Sequence, residues 1–182
     1  MKEIKNARHI STKKGDTGMS RNYSNDKLHK TNVLFDTLGS IDELSSSLGV
    51  AYHYTDMYKK EIQMIQKDLQ NIMSIIATNV SDKHYQNLIQ IQVKDVNNLE
   101  NIEQNILERH PLKPMFVLPG SDSNLSGSYL DLARSIARRV ERQVLRFIAE
   151  NQRDDLSLVM QYLNRLSDLL YILARSNDEK KA

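Results

Sequence analysis

The feature that most constrains the fold of this chain is the spacing of its apolar residues, which recur every three or four positions in five segments. This spacing lines one side of an α-helix with side chains that can face a core. The five sets are Leu34, Leu38, Ile41, Leu44 and Leu48; Ile62, Ile65, Leu69, Ile72 and Ile76; Leu88, Ile91, Leu99, Ile102 and Ile106; Leu125, Tyr129, Leu132, Ile136, Val140 and Phe147; and Leu156, Val159, Leu163, Leu166, Leu170 and Leu173. Only 6 Gly and 3 Pro among 182 residues also favour helices over many short strands. We therefore predict an all-α protein, a five-helix bundle.

Breaks in this pattern predict the boundaries of the segments. The first helix is predicted over about residues 32–52 and the fourth over about residues 124–150, after a loop that holds all three prolines. The fifth is predicted to begin near Asp154 or Asp155, which are suitable N-caps. The length suits a single domain over residues 1–182. It comprises an irregular N-terminal segment (residues 1–30), read as an ordered loop or a mobile arm, a helical bundle (31–176) and a tail (177–182).

Composition and charge exclude several classes of protein. The chain has no Cys, so it has no disulfides, thiolate zinc site or cysteine nucleophile. Its five His lack metal-site spacing, and a net charge of +2 argues against a general nucleic-acid binder. The apolar runs are far shorter than the roughly 20 residues that span a membrane, and residues 1–10 lack an apolar signal segment. We expect a cytoplasmic protein with no nucleic-acid or membrane partner.

The first candidate site is the stretch TKKGDTGMSR, residues 12–21. Two glycines permit tight turns, hydroxyl groups can donate hydrogen bonds and lysines supply positive charge, which are the ingredients of a phosphate cradle. The spacing of a P-loop is missing. From composition alone, a polar N-terminal loop without a ligand remains the alternative.

The second candidate site is the arginine series of the fourth helix, which is Arg134, Arg138, Arg139, Arg142 and Arg146. No Lys occurs between residues 124 and 150, and the planar, always charged guanidinium suits phosphate oxygens. Spacings of four place Arg134, Arg138 and Arg142 on one side, where Glu141 could pair with or orient an arginine. A solvated helix face with salt bridges is the alternative.

Polar residues on two other helices need separate interpretation. On the fifth helix, Asn164 and Asp168 share a side next to the core line, so Asn164 is either a ligand-facing amide or a buried group satisfied within the bundle. On the first helix, the adjacent carboxylates of Asp42 and Glu43 point about 100° apart, which argues against a paired acid and base.

Five sequence blocks together resemble the PduO-type ATP:cob(I)alamin adenosyltransferase family. In order, they read STKKGDTGMS (residues 11–20), LGSIDEL (38–44), FVLPG (116–120), AR with RRVER (133–134 and 138–142) and YLNRLSD (162–168). They extend over roughly residues 11–175, nearly the whole chain. Residues 52–114 match only as helical pattern and contribute no functional residue to the resemblance.

The resemblance implies a five-helix bundle that forms a homotrimer and binds ATP between subunits. It also implies the reaction, in which the cobalt of cob(I)alamin attacks the ribose C5′ of ATP and releases triphosphate, giving adenosylcobalamin. A corrinoid reductase and an adenosylcobalamin-dependent enzyme would be its protein partners.

By matching position, the resemblance also implies roles for individual residues. The triphosphate and its Mg²⁺ would be held by Thr12, Lys13, Lys14, Gly15, Ser20, Arg21 and Lys30. The nucleotide site would be completed by Arg138, Arg139, Glu141, Arg142 and Asn164. Arg138 would act on the reacting phosphates, Asp42 and Arg134 would form an ion pair between subunits, and Phe116 would lie on the corrin side.

Departures from the family pattern leave a second hypothesis. The stretch RNYSNDKL (residues 21–28) replaces the usual loop glycines, Ser121 replaces a second glycine, and the segment from 120 to 134 is about two residues longer than is common in the family. The alternative is a relative that binds ATP or a corrinoid with little catalysis, as a carrier or regulator. A helical module that binds nucleic acid through the arginine series ranks third.

Overall fold

The computed structural model of the protein describes residues 3–120 and 125–178 and confirms the predicted five-helix bundle. The helices are α1 (Val33–Tyr54), α2 (Lys59–Ile76), α3 (Val93–Arg109), α4 (Leu125–Asn151) and α5 (Ser157–Asp178). Two short strands, β1 (Met19–Arg21) and β2 (Lys27–His29), precede them. Within the described ranges, every helix falls short of the length or the apolar character that crossing a membrane requires.

The third helix begins later than its apolar pattern predicted. Leu88 has an extended backbone and Ile91 also precedes α3, so both lie outside the helix, although Ile91 is buried in the core. A capping box fixes the start: Gln92 accepts a hydrogen bond from the backbone of the first turn, and the Asp95 side chain accepts one from the Gln92 N–H. Leu88 and Ile91 thus follow the apolar spacing of a helix without being helical.

Two expectations for the fifth helix were wrong. Asp154 and Asp155 do not cap it, because residues 154–156 form a 3₁₀ turn and α5 starts at Ser157. The Asp155 carboxylate instead accepts hydrogen bonds from Arg153 and Tyr85. The predicted tail also begins too early, since α5 continues to Asp178; residues 179–182 lie outside the described ranges.

Helix α5 is largely buried in the bundle. It packs against α3 and α4, while α4 packs against α1 and α1 against α2. Fully buried side chains on α5 include Tyr162, Leu163, Leu166, Leu169, Leu170 and Leu173. The apolar line predicted from the sequence therefore faces the core.

A buried ion pair joins α4 to the end of α5. Arg175 donates a hydrogen bond to the Asp131 carboxylate, and the two side chains are 6% and 4% exposed. The other carboxylate oxygen of Asp131 accepts a hydrogen bond from Nε of Arg134 at 3.1 Å. Since charges this deeply buried need partners, the pair fixes the rotation of α4 relative to α5.

The N-terminal segment contains a β-hairpin, whereas the sequence predicted only a loop or an arm. Its strands pair antiparallel, with Met19 opposite His29, Ser20 opposite Leu28 and Arg21 opposite Lys27. At the turn, Asn25 adopts a left-handed φ of 71°, and the Asn22 side chain accepts a hydrogen bond from the backbone of Asp26 at 2.8 Å. Leu28 packs against the bundle core.

Glu103 of α3 carries a carboxyl group in an unfavourable environment facing α5. Among the described residues, no hydrogen-bond donor reaches its buried Oε1. Desolvation first, and then the nearby Asp168 and Glu100 carboxylates, raise the pKa of Glu103 to about 7, against the smaller opposing effect of Arg165. The proton of Glu103 is therefore held more tightly in the folded chain than in the unfolded chain.

The Asp131–Arg175 pair leads to a prediction about stability. Asp131→Ala removes the carboxylate that faces a buried guanidinium, so we expect it to lower the free energy of unfolding by about 3 kcal/mol. Glu150→Ala removes a partner of exposed Arg146 and is the control, with an expected loss below about 1 kcal/mol. Urea denaturation measures both, and equal losses would contradict the role of the buried pair.

Glu103 leads to a prediction about pH dependence. Because its pKa is raised on folding, the folded chain binds more protons than the unfolded chain between about pH 4.5 and pH 7, and stability falls as pH rises through this window. Glu103→Gln should remove this fall and raise the free energy of unfolding at pH 8 by about 1 kcal/mol. This value is smaller than the pKa shift alone would give, because the Glu103 side chain is only half-buried and solvent screens its charge. Thermal unfolding from pH 4 to 8 tests this, with the exposed Glu108→Gln as control. An unchanged pH profile in Glu103→Gln would contradict the assignment.

Candidate active site

A groove runs along the N-terminal segment, where the glycine-containing stretch was predicted to hold phosphate. We name it the N-terminal groove; its volume is about 340 Å³, and it is lined by Thr12, Lys14, Gly15, Met19, Ser20, Arg21 and Lys27. Three of these side chains are cationic and two carry hydroxyl groups. The lining can therefore bind an anion through both charge and hydrogen bonds.

Lys30 belongs to the same surface through its contact with Gly15. A Cβ atom at Gly15 would lie 2.9 Å from the Nζ of Lys30, so a larger residue there would displace the ammonium group. The backbone N–H of Lys30 donates to the carbonyl of Gly18 at 2.8 Å, and Gly18 has a φ of 75° that favours glycine. Lys13, in contrast, is exposed with a φ of 58° and is not among the residues that line the groove.

Three arginines of α4 form a second cationic surface, whereas Arg134, which the spacing of four placed on the same side as Arg138 and Arg142, is half-buried. Arg138, Arg139 and Arg142 are exposed, and we call them the arginine face. Nη1 of Arg142 donates to the backbone carbonyl of Arg138 at 2.9 Å, one turn earlier. Arg139 forms an ion pair with Glu43 of α1. An exposed pair of this kind contributes little stability, so an incoming anion can replace the carboxylate at low cost.

Glu141 and Asn164 contact each other beside the arginine face. The amide of Asn164 donates to Glu141 at 2.9 Å and accepts a hydrogen bond from Arg165 at 2.7 Å. In the described structure Glu141 thus pairs with an amide, whereas the sequence suggested that it would orient an arginine. Asn164 is exposed, which rules out the alternative that it is a buried group of the bundle.

The two members of the predicted ion pair between subunits lie on neighbouring helices. Asp42 is exposed on α1, next to Glu43, and Arg134 is half-buried on α4. Within the chain, Arg134 donates its Nε to Asp131, and a guanidinium has further N–H donors that a second carboxylate could accept. The pairing of Asp42 with Arg134 of another subunit stays a prediction.

Phe116 lies in the segment between α3 and α4 and is 87% exposed. Met115 and Leu118 beside it are also exposed, and Gly120 has a φ of 85°. Three neighbouring exposed apolar side chains suit contact with a ligand or with another chain. The role of Phe116 on the corrin side stays a prediction. Ser121 and the rest of the segment up to residue 124 lie outside the described residues.

Sequence reasoning missed two residues of these surfaces. Lys27 lines the groove because the hairpin brings β2 to its edge, and Glu43 contacts Arg139 because α1 packs against α4. The polar turn signal at residues 22–26 could have indicated the hairpin and so placed Lys27 opposite Arg21. No local signal marks the pairing of Glu43 with Arg139, which are 96 positions apart.

The two cationic surfaces are separated within one chain. The hairpin faces the end of α4, where Phe147 and Asn151 share a cavity lining with Leu28. Arg138 lies nine residues before Phe147, which is about 13 Å along the helix. The arginine face therefore begins about 13 Å along α4 from the end of the helix that the hairpin faces.

Comparison with known proteins identifies relatives along almost the whole chain. The pattern of the family described as Cobalamin adenosyltransferase matches residues 10–177. A corrinoid adenosyltransferase of Mus musculus is 35% identical over 173 residues, covering 91% of this chain and 71% of the relative. A corrinoid adenosyltransferase of Citrobacter freundii is 33% identical over 171 residues, covering 91% and 93%.

A solved structure agrees in fold as well as in sequence. A variant PduO-type ATP:corrinoid adenosyltransferase from Lactobacillus reuteri, complexed with cobalamin and ATP, has a TM-score of 0.83 and 29% identity, with 93% of each chain covered. The resemblance that the five sequence blocks carried is thereby confirmed. The chain belongs to the cobalamin adenosyltransferase family.

Proposed function

We propose that this chain acts as one domain that transfers the 5′-deoxyadenosyl group of ATP to the cobalt of cob(I)alamin. The observation that carries the proposal is the pair of cationic surfaces. Lys14 and Arg21 line the N-terminal groove, and Arg138, Arg139 and Arg142 lie exposed on α4. Lys14 and the three arginines of α4 lie within the sequence blocks that resemble the family, and Arg21 directly follows the first block. The structure of one relative is complexed with cobalamin and ATP.

The chemistry of this transfer explains why the site holds cations rather than an acid and a base. The electron pair of the cobalt substrate forms the cobalt–carbon bond at C5′, and the C5′–O bond breaks with its electrons going to triphosphate. Negative charge grows on the leaving group, so fixed arginine, lysine and backbone N–H donors stabilise the transition state. The nucleophile carries no proton, and none has to be removed.

The residues divide into two groups by the part of the chain that carries them, the N-terminal segment or helices α4 and α5. The triphosphate is bound by Thr12, Lys13, Lys14, Gly15, Ser20, Arg21 and Lys30. The site is completed by Arg138, Arg139, Glu141, Arg142 and Asn164. When triphosphate binds, Arg139 exchanges its ion pair with Glu43 for phosphate oxygens, which offer the guanidinium fork a doubly hydrogen-bonded partner.

A homotrimer brings the two surfaces together. The exposed sides of α1 and α4 carry apolar side chains, including Val50, Leu132 and Leu145, which are 41%, 51% and 54% exposed. Apolar side chains on the helices that also carry Asp42 and Arg138 suit contact with a second copy. The Asp42–Arg134 ion pair then forms across this contact.

Magnesium fits the site as a partner of the phosphates. Within residues 3–120 and 125–178, no three His, Asp or Glu side chains come close enough to share a metal ion. Mg²⁺ commonly keeps several waters and binds through substrate phosphates, and the hydroxyl groups of Thr12 and Ser20 lie in the groove lining. When bound, the ion neutralises part of the triphosphate charge, while the lysines and arginines hold the remaining oxygens.

The corrin side of the site is formed by the segment that carries Phe116. Its exposed ring would hold the corrin by apolar contact, and the family resemblance implies that this packing would make the Co(II) precursor easier to reduce. A corrinoid reductase supplies the electron, and an adenosylcobalamin-dependent enzyme receives the product. A cytoplasmic location stays a prediction from the sequence.

The proposed role of Arg138 leads to a prediction about catalysis. In an anaerobic assay with reduced cob(I)alamin and Mg-ATP, Arg138→Ala should lower kcat/KM by roughly 100-fold or more, because a donor to the leaving group is lost. The matched control is Arg146→Ala on the same helix, whose exposed guanidinium pairs with Glu150 at 2.7 Å and which should keep kcat/KM within about twofold. Loss of the cob(I)alamin absorbance and the light sensitivity of the product are measured.

Two results of this assay would count against the proposal. Product formation by Arg138→Ala at the wild-type rate would remove Arg138 from the site. A folded wild-type protein that binds ATP and forms no adenosylcobalamin would favour the carrier or regulator instead.

The proposed contact between subunits leads to a prediction about assembly. Asp42→Asn and Arg134→Ala should each reduce activity and weaken the trimer, because each leaves a charge at the interface without its partner. Sedimentation velocity and the adenosylation assay on the same samples test this. Full activity in a trimer of unchanged stability for either variant would show that the pair does not form.

A further inference from the structure

We infer that Asn79, in the connection between α2 and α3, is a positioning residue that holds the hairpin in place for ATP. The inference rests on the proposed function, because it concerns the phosphate-binding residues of the N-terminal groove. Neither the motifs nor the roles assigned above include this position, which lies in the region that the sequence resemblance left without a functional residue.

Asn79 contacts the hairpin turn through both its side chain and its backbone. Its amide donates to the Asp26 carboxylate at 2.5 Å, and its side-chain oxygen accepts from Asn22 at 3.3 Å. Its backbone N–H donates to the Ser24 hydroxyl at 2.9 Å. One residue therefore satisfies three polar groups of a turn that is more than 50 positions away in the chain.

An asparagine is well suited to this position. The Asp26 carboxylate needs a donor, and Asn22 offers one, so the residue between them must donate and accept at once. Asn22 also donates directly to Asp26 at 3.0 Å, which closes a small network of three side chains. In such a network each group limits the orientation of the other two.

The underside of the hairpin is not tightly packed. A cavity of about 490 Å³ lies between the hairpin, the end of α2 and the end of α4, and both Asp26 and Asn79 line it. Leu28 reaches the core from β2, yet apolar contact alone leaves this volume unfilled. The polar contacts of Asn79, together with the backbone bond from Tyr23 to Ala77 at 2.8 Å, therefore hold the turn against the bundle.

The position of the turn sets the position of the phosphate ligands. Arg21 lies opposite Lys27 at the turn end of the two strands, and Ser20 lies one pair further along. All three line the N-terminal groove. If the turn moves away from Asn79, these three side chains move together away from the rest of the groove lining. We then expect weaker ATP binding rather than a slower chemical step.

A reciprocal exchange of side chains tests this contact. Asn79→Asp places two carboxylates against each other, so we expect KM for ATP to rise about tenfold with kcat within about twofold, since a hydrogen bond to a charged group is lost. Adding Asp26→Asn restores a donor and an acceptor in exchanged positions and should return KM to within about twofold of the wild type. Asn101→Asp, an exposed substitution on α3, is the matched control for the added charge.

Hydrogen exchange of the hairpin amides supplies a second readout. Exchange at residues 19–29 should be faster in Asn79→Asp and should return to the wild-type rate in the double variant, with the bundle amides unaffected in both. Ser24→Ala, which removes one acceptor from the Asn79 backbone, should shift exchange and KM in the same direction by a smaller factor. It provides the test if Asn79→Asp does not fold.

Each outcome decides for or against the inference. Rescue of KM and of hairpin exchange by the exchanged pair supports it. An unchanged KM in both Asn79→Asp and Ser24→Ala overturns it, as does a double variant no better than Asn79→Asp. Failure of the proposed function is a separate result: wild-type protein would then form no adenosylcobalamin, and hairpin exchange would be the same with and without Mg-ATP.

Discussion

The structure depends on the burial of α5, which lies between α3 and α4 and is shielded along most of its length. Burial extends into its last turns, so the polar side chains there must find partners inside the protein. Arg175 pairs with Asp131 of α4, Ser176 accepts a hydrogen bond from Tyr58, and Asn177 contacts both Thr55 and Ser126. These contacts fix how α4 is rotated. With one side of α4 fixed against α5 and α1, Arg138, Arg139 and Arg142 are directed outward.

The outward arginines give the site its chemistry. Like charges on adjacent turns repel one another, and here solvent, the Arg138 carbonyl and the Glu43 carboxylate moderate that repulsion. These partners are weak because they are exposed to water. The proposed function requires a triphosphate to replace these partners, and its oxygens carry more negative charge and suit the guanidinium geometry better.

The hairpin is held in place by polar contacts, whereas the bundle is held together by apolar packing. It has two three-residue strands and one apolar side chain, Leu28, that packs against the core, which is too little to fold independently. Its position therefore depends on polar contacts with the end of α2, centred on Asn79. Because Ser20, Arg21 and Lys27 of the N-terminal groove lie on this weakly held element, the shape of the groove depends on long-range contacts within the chain.

The sequence by itself determined the five helices, because apolar spacing is local information, and it determined the family, because five motifs recur in order. It also placed Arg134, Arg138 and Arg142 on one side of α4, since helical periodicity fixes which residues share a side; which of them are exposed was decided by the packing of the helices. It did not give the start of α3 or α5, where capping depends on which side chains compete for the first N–H groups. Only the tertiary structure decided that residues 19–29 form a hairpin, that Glu43 holds Arg139 and that Asn79 holds Asp26. The physical reason is that those contacts join residues 53 and 96 positions apart, and their geometry exists only once the helices have packed.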